Sequence, residues 1–389
     1  MTDALLVLNA GSSSLKFAVL ELHDQLPMLA KGGVSSLADK PILKVRLADG
    51  QTVETELGSG PLGIREAVGH AIDAIRGRDF FDNVRCVGHR IVHGGREFTG
   101  AVVLDKPTMK SLRKLIPLAP LHQPVNLEIV DEAAALFPGA VQYGCFDTAF
   151  HTTRPRIATL YGLPREITEA GIVSYGFHGL SFGYIAGRLR EHDRNRAGGR
   201  AIVAHLGSGA SLCAIKDGGC VATTMGFSPL DGLVMSTRSG ALDPGVVLHL
   251  LEERKMSAAE ITDLLYRHSG LLGVSGISGD MRTLLASDHP AAREAVDLFA
   301  YRAGREIGSL AAALGGLDTL VFTAGIGENA PEVRERIGAT AAWLGVAIDP
   351  QRNRAGETSI TTPGSAVEVL VIPTDEERAV AEEVLAAQG

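Results

Sequence analysis

The stretch Asn9-Ala10-Gly11-Ser12-Ser13-Ser14-Leu15-Lys16 decides the fold, because a loop of similar design, His205-Leu206-Gly207-Ser208-Gly209-Ala210-Ser211, recurs in the second half of the chain. The first loop interrupts LLVLN and LKFAVL, and the second interrupts AIVA and LCAI. All four runs read as short apolar strands. Each loop is therefore a Gly/Ser turn joining consecutive strands, with small residues, bare backbone N–H groups and hydroxyls at its tip. That chemistry cradles phosphate. A phosphate hairpin in each half predicts a duplicated fold with a nucleotide held in the cleft between the halves.

The rest of the chain fits an α/β plan with mixed sheets, since hairpins come first in each half and alternating helix and strand follow. In the first half, ILKVRL and TVETEL read as strands, then residues 63–76 as a helix and 84–93 as a strand. Residues 110–116 and 124–137 read as helices, and 141–146 as a short buried strand. In the second half, helices are expected over 180–192, 244–253, 258–268, 291–314 and 331–344. Strands are expected at 317–323 and 367–372, and a last helix over 375–387, capped by Thr374 or Asp375.

With 389 residues, the chain suits two domains of roughly 150–200 residues each. The boundary is expected near residues 148–154. Apolar content of 45% and charged content of 21% exclude a disordered chain. A net charge of −8, with no basic run, argues against nucleic-acid binding. An acidic protein that binds phosphate must concentrate positive charge locally, so arginines in apolar settings stand out. Cys86, Cys145, Cys213 and Cys220 lie far apart without metal-ligand spacing, which suits a reduced cytoplasmic compartment. No secretory signal and no membrane span are read.

Several motifs carry chemistry, and each has a plainer alternative. Arg90 lies in the strand VGHRIVHGG and is either half of a structural ion pair or a ligand-holding guanidinium. His89 and His93 share a strand face but lack a third metal ligand, so they read as structural. His122 sits between prolines in PLAPLHQPVN, a stiff segment of the kind that positions ligands. Asp147, in CFDTAFH, is a turn cap or a carboxylate that orients metal-bound water. His178, in YGFHG, is a packed loop histidine on its own evidence. Residues 223–245 form a long loop too apolar for disorder, with Arg238 as a second candidate for stabilising phosphoryl charge. Gly325-Ile326-Gly327-Glu328-Asn329-Ala330 matches GxGxxA. Because no strand ends at Asp349, it reads as a turn receiving a nucleotide rather than a dinucleotide fingerprint. No P-loop, protein-kinase signature or GxSxG elbow is present.

Taken together, LVLNAGSSSLKF, GHRIVHGG, LAPLHQPVN, FDTAFH, YGFHG, AHLGSGAS, MGFSPLDGLVMSTRSGALDPG, GISGDMR, FTAGIGENAPEVR and IPTDEE resemble, in order, the motifs of the acetate/propionate/butyrate kinase family. The resemblance runs from about Leu5 to Glu383. It implies a duplicated actin-like (ribonuclease H-like) fold of two domains, each a mixed sheet flanked by helices, with a cleft between them. It places an N-terminal domain at 1–148, joined by the C-terminal helix at about 377–389, and a nucleotide-binding domain at 149–376. The implied reaction is reversible in-line transfer of the ATP γ-phosphoryl group to acetate, giving acetyl phosphate and ADP. Mg2+ would assist, with Mn2+ as a substitute, in a cytoplasmic homodimer. Propionate or butyrate is the alternative acceptor.

By motif, the resemblance assigns Asn9, Ser12, Ser14 and Lys16 to phosphate. It assigns Arg90 and Arg238 to the carboxylate and the transferring group, and His122 and His178 to their flanks. Asp147 and Glu376, with Asn9, would organise the metal, and Val92, Leu121, Phe177 and Pro229 the acyl tail. His205, Gly207, Ser208 and Gly209, Asp280, Met281 and Arg282, and Gly325, Ile326, Gly327 and Asn329 would hold the nucleotide. The chain departs from the family pattern at Gln123, Ser208, Ala210, Ser236 and Met281. Two readings of other classes remain: a non-catalytic actin-like ATPase switch, and a nicotinamide-dependent oxidoreductase resting on the late GxGxxA.

Overall fold

Strand β1 (Ala4–Ala10) is buried along its whole length, which suits a central strand covered on both faces. The computed structural model describes residues 3–11, 14–192 and 199–388. In it β1 turns back into β2 (Leu15–Glu21) with Asn9 opposite Lys16, and Gly11 N donates to Ser14 O at 2.9 Å to close the loop. The sheet continues with β3 (Met28–Ser35), β4 (Ile42–Leu47), β5 (Thr52–Glu56), β6 (Val84–Ile91), β7 (Val102–Val103) and β8 (Val141–Phe146). Its order is β5-β4-β3-β2-β1-β6-β8-β7.

The second sheet holds β9 (Arg200–Leu206), β10 (Ala210–Lys216), β11 (Gly219–Thr223), β12 (Thr319–Thr323) and β13 (Glu368–Val371). Its order is β11-β10-β9-β12-β13. β9 pairs antiparallel with β10 and parallel with β12, just as β1 pairs antiparallel with β2 and parallel with β6. The run β3-β2-β1-β6-β8 therefore has the plan of the whole second sheet, two antiparallel pairings followed by two parallel ones. This is the duplication that the two hairpins predict.

The chain divides into two units. One runs to Phe150 and resumes at Asp375, and the other is His151–Thr374. In the first, the helix Ile64–Ile75 turns Val68, Ile72 and Ile75 onto a core with Leu6, Leu8, Phe17 and Val19. The helix Glu376–Ala386 lies over β1, β2, β6 and β8 and buries Val380 and Val384. Asp375 caps it, accepting from Arg378 N at 3.1 Å. In the second unit the long helix Pro290–Leu314 covers β9, β10 and β11. No helix among the described residues is long and apolar enough to cross a membrane.

Three local readings need correction. The helix expected over 110–116 is Lys106–Arg113, because Asp105 accepts from Thr108 N at 2.8 Å and Pro107 suits the first turn. The 331–344 helix ends at Thr340, followed by a 3-10 turn at Ala342–Leu344. Residues Ala324–Asn329 form a short helix rather than a turn, because Arg334 binds the carbonyls of Gly327 and Glu328 at 2.8 and 2.9 Å and anchors its last residues.

Candidate functional site

In the first unit the polar residues converge on Asn9, at the end of β1. Its Nδ2 donates to Glu376 Oε2 at 2.9 Å and Glu377 Oε1 at 2.8 Å, and its Oδ1 accepts from Arg90 Nη1 at 3.1 Å. Arg90, on β6, forks onto Asp147, with Nη2 donating to Oδ2 at 2.7 Å and Nε sitting 3.1 Å from both oxygens. Asp147 follows β8 directly and is held there by its N–H on Ile91 O at 3.0 Å. Burial opposes the Arg90 charge, but the carboxylates of Asp147 and Glu376 outweigh it and keep the guanidinium firmly protonated. Lys31, on β3, adds Nζ contacts of 2.9 Å to Asp375 and 3.2 Å to Glu377. Glu383, one helix turn and more beyond, is pushed up to about 7 by burial.

The other residues named from the first unit surround this network at varying exposure. Ser14 and Lys16 line a cleft of about 730 Å3 with Lys31, Lys44 and Arg46, a positively charged wall beside the first hairpin. Ser12 lies outside the described residues. Val92 is buried just past β6, with its N–H on Asn126 Oδ1 at 3.0 Å. Leu121 is exposed, and half-buried His122 is the cap residue of the helix Gln123–Leu136. Gln123 is fully buried; its Oε1 accepts from His93 N at 3.2 Å and its Nε2 donates to His93 O at 3.0 Å. The departure at Gln123 thus pins the backbone next to Val92.

His89 and His93 are structural, as expected. His89 Nε2 lies 2.8 Å from Gln142 Oε1. Gln142 Nε2 donates to Ala140 O, so Oε1 accepts and the His89 proton sits on Nε2. Burial lowers both imidazoles from the ordinary 6.5 to about 4. A folded-state value below the unfolded one means that the unfolded chain takes up protons first. The contribution is complete above about pH 6.5 and is lost as the pH falls toward 4. Each histidine is worth about 3 kcal/mol across that window. The urea midpoint is therefore expected to drop between pH 6.5 and 4, and His89→Gln to flatten part of that slope. An unchanged slope in the variant would rule His89 out as a contributor.

In the second unit His178 adopts φ 58°, a strained value for a residue with a side chain. Its Nδ1 lies 2.9 Å from Ser211 Oγ, and its ring stacks on His205 at 4.2 Å. His205 Nδ1 is held in turn by Ser181 Oγ at 2.8 Å. A Cβ on Gly209 would lie 3.2 Å from His178 Nε2, close enough that one of them would have to give by a few tenths of an ångström. Phe177 and Pro229 are buried, and Arg238 Nη1 donates to Pro229 O at 3.0 Å.

A cleft of about 820 Å3 gathers Gly207, Ser208, Asp280, Met281, Arg282, Gly325, Ile326 and Asn329. Its size suits a nucleotide-sized ligand. Asp280 caps the helix Met281–Leu285 and pairs with Arg282 at 2.7 Å. Asn329 Nδ2 donates to Gly325 O at 2.9 Å. Three named residues do not line the cleft: His205 in β9, stacked on His178, Gly209 beside His178 at the hairpin tip, and Gly327 toward Ala204 O and Leu206. Two departures meet here through backbone alone, Ser236 N donating to Ser208 O at 3.1 Å. Ala210 is buried in β10 opposite Leu206.

Sequence reasoning passed over Lys31, Glu377, Ser181, Ser211 and Arg334. Glu377 adjoins a named residue in IPTDEE, and Ser211 closes the second hairpin motif, so each carried a local signal. The roles of Lys31, Ser181 and Arg334 depend on partners distant in sequence.

A model of the Acetokinase family matches residues 4–382. An acetate kinase of Rhodopseudomonas palustris (strain TIE-1) is 53% identical over 391 residues, covering 99% of this chain and 98% of its own length. An acetate kinase of Rickettsia prowazekii is 45% identical over 387 residues, at 99% of both. Among solved structures, Porphyromonas gingivalis acetate kinase superposes with a TM-score of 0.87 at 37% identity, covering 100% of each chain. A propionate kinase from Francisella tularensis gives 0.90 at 35%, covering 98% of each. Both share this chain's fold.

Proposed function

We propose the reaction on one premise: the chain belongs to the acetokinase family. It is an acetate kinase by that membership, a phosphotransferase with a carboxyl group as acceptor and ATP as the phosphoryl donor. The observation that carries the proposed residue roles is the second-unit cleft, where Gly207 and Ser208 of the hairpin, Asp280–Arg282 and the Gly325 helix meet at a volume suited to a nucleotide.

Acetate is already an anionic nucleophile, so the reaction needs no general base. It needs two anions brought together in line, which is a matter of positioning and charge neutralisation. In the first unit, Arg90 offers a guanidinium for acetate, with Asn9, Ser12, Ser14 and Lys16 for phosphate. In the second, His178 and Arg238 stabilise charge on the transferring group, and the cleft residues hold ADP. His122 flanks the carboxylate.

Glu376, Asp147 and Asn9 carry hard oxygen donors linked through Asn9 Nδ2 and Arg90, the donor class that Mg2+ takes, partly through water. When bound, Mg2+ neutralises phosphate charge. Asp375 caps the helix that carries Glu376, so the carboxylate is delivered from a fixed first turn.

The buried Val92 is the first unit's candidate for contact with the acyl tail. Val92→Ala is expected to raise the propionate-to-acetate kcat/KM ratio several-fold, since one methylene is worth about 1–3 kcal/mol. An unchanged ratio removes Val92 from the pocket. The reading as a whole is tested by hydroxamate trapping of the acyl phosphate with acetate, propionate and butyrate. Acetate-dependent trapping with ATP is expected; ATP hydrolysis indifferent to acetate would instead support the ATPase switch.

Cytoplasmic location and a homodimer complete the proposal. Four free, buried thiols support the first. The helix Pro244–Glu252 buries none of its residues and exposes Val246, Leu248 and Leu251, which supports a protein interface there.

A further inference from the structure

Cys213 on β10 and Cys220 on β11 lack the short spacing of a metal motif, but the hairpin register puts them on one face. Cys213 pairs with Thr223 and Cys220 with Ile215, so the two cysteines are diagonal neighbours. Their sulfurs lie 3.3 Å apart, and His151 Nδ1 lies 3.2 Å from Cys220 Sγ. The three donor atoms fall within 4.8 Å of one another, and all three residues are buried.

The histidine is oriented for ligation. His151 Nε2 lies 2.8 Å from Phe177 O. A carbonyl only accepts, so Nε2 carries the proton and Nδ1 turns its lone pair to the sulfurs. A carbonyl-held second nitrogen is what metal-binding histidines show. Thr153 Oγ1 donates to Cys220 O at 3.0 Å and fixes the ligand-bearing backbone.

The donor set selects the ion. Two sulfurs and an imidazole, with no carboxylate in the group, favour zinc-class cations over Mg2+. At metal–sulfur bonds of about 2.3 Å, tetrahedral sulfurs stand about 3.8 Å apart. The pair need open by only about 0.5 Å, whereas a disulfide of about 2.05 Å requires a closure of more than about 1 Å.

We propose that His151, Cys213 and Cys220 form a buried binding site for a zinc-class divalent cation, distinct from the Mg2+ of phosphoryl transfer. The cation takes the place of the thiol protons: two metal–sulfur bonds and one metal–nitrogen bond form, the S–H bonds of Cys213 and Cys220 break, and their protons go to solvent. No electron moves.

The test uses the full-length, reduced protein and Cd2+ as the spectroscopic probe. The expected result is a thiolate-to-cadmium absorption band saturating at one equivalent, with protons released on binding and a rise in Tm. Cys86→Ser keeps the band, while Cys213→Ser, Cys220→Ser and His151→Gln lose or weaken it. No saturable band in the unsubstituted protein overturns the proposal, and so does a band that survives in folded Cys213→Ser. Uptake without proton release overturns it as well, and that readout needs no variant to fold. A Cys213–Cys220 disulfide whose reduction restores no cadmium binding is a further contrary outcome.

Discussion

Replacing Arg90 with alanine is expected to lower kcat about 10²–10³-fold, the loss that follows removal of one group stabilising transition-state charge. The structure adds a second consequence. Asp147 is almost fully buried, and Arg90 supplies its bidentate partner. Leaving that carboxylate without its guanidinium costs about 3–5 kcal/mol of stability. Arg90→Ala therefore loses both activity and urea resistance, and neither measurement alone interprets the other. The double substitution Arg90→Met with Asp147→Asn removes both charges and is expected to regain much of the stability while kcat stays low. If activity returns with stability, Arg90 serves the fold alone. Near-normal kcat in Arg90→Ala sinks its assignment outright.

Arg238→Ala is expected to give the cleaner result: a comparable fall in kcat with a stability change of less than about 1 kcal/mol. The backbone at this position is held without the side chain. Met235 N donates to Arg238 O and Ser239 N to Leu265 O, both at 3.1 Å. Gly270, at φ 64°, fits where a Cβ would collide with Met235 O and the Arg238 backbone. The guanidinium itself reaches Pro229 O and Met235 Sδ. A folded variant with wild-type kcat in the hydroxamate assay would show that this side chain braces the loop and no more.

The hairpins were legible because a Gly/Ser turn between two apolar runs has few other solutions, and pairing follows from the turn. Their matching sheet orders follow from the same signal. β3 was not legible: MLAKGGVS carries two adjacent glycines, which weaken strand propensity, and only pairing with β2 and β4 defines it. The Gly325 segment was misread for a related reason, since glycines disfavour helix locally while Arg334 anchors the helix from elsewhere. Within the candidate site, Arg90 and Asp147 stood out by chemistry. Ser181, which holds His205, did not, because a serine gives no sign of its distant partner. The cysteine–histidine cluster depends on strand register together with a residue from before β9, and linear spacing carries neither.

The first unit is made of two pieces of chain, with the helix Glu376–Ala386 returning to cover β1 and β6. On the ribosome this imposes an order of assembly. Residues up to Phe150 emerge first, but Asn9 lacks Glu376 and Glu377 until the last turn of synthesis. The whole of His151–Thr374 is made in the interval, which at roughly 5–20 residues per second takes on the order of ten seconds or more. By its end the second unit has all of its own strands, while the first still waits with an apolar sheet face uncovered. The nascent chain is thus most open to chaperones and proteases at its oldest segment rather than its newest.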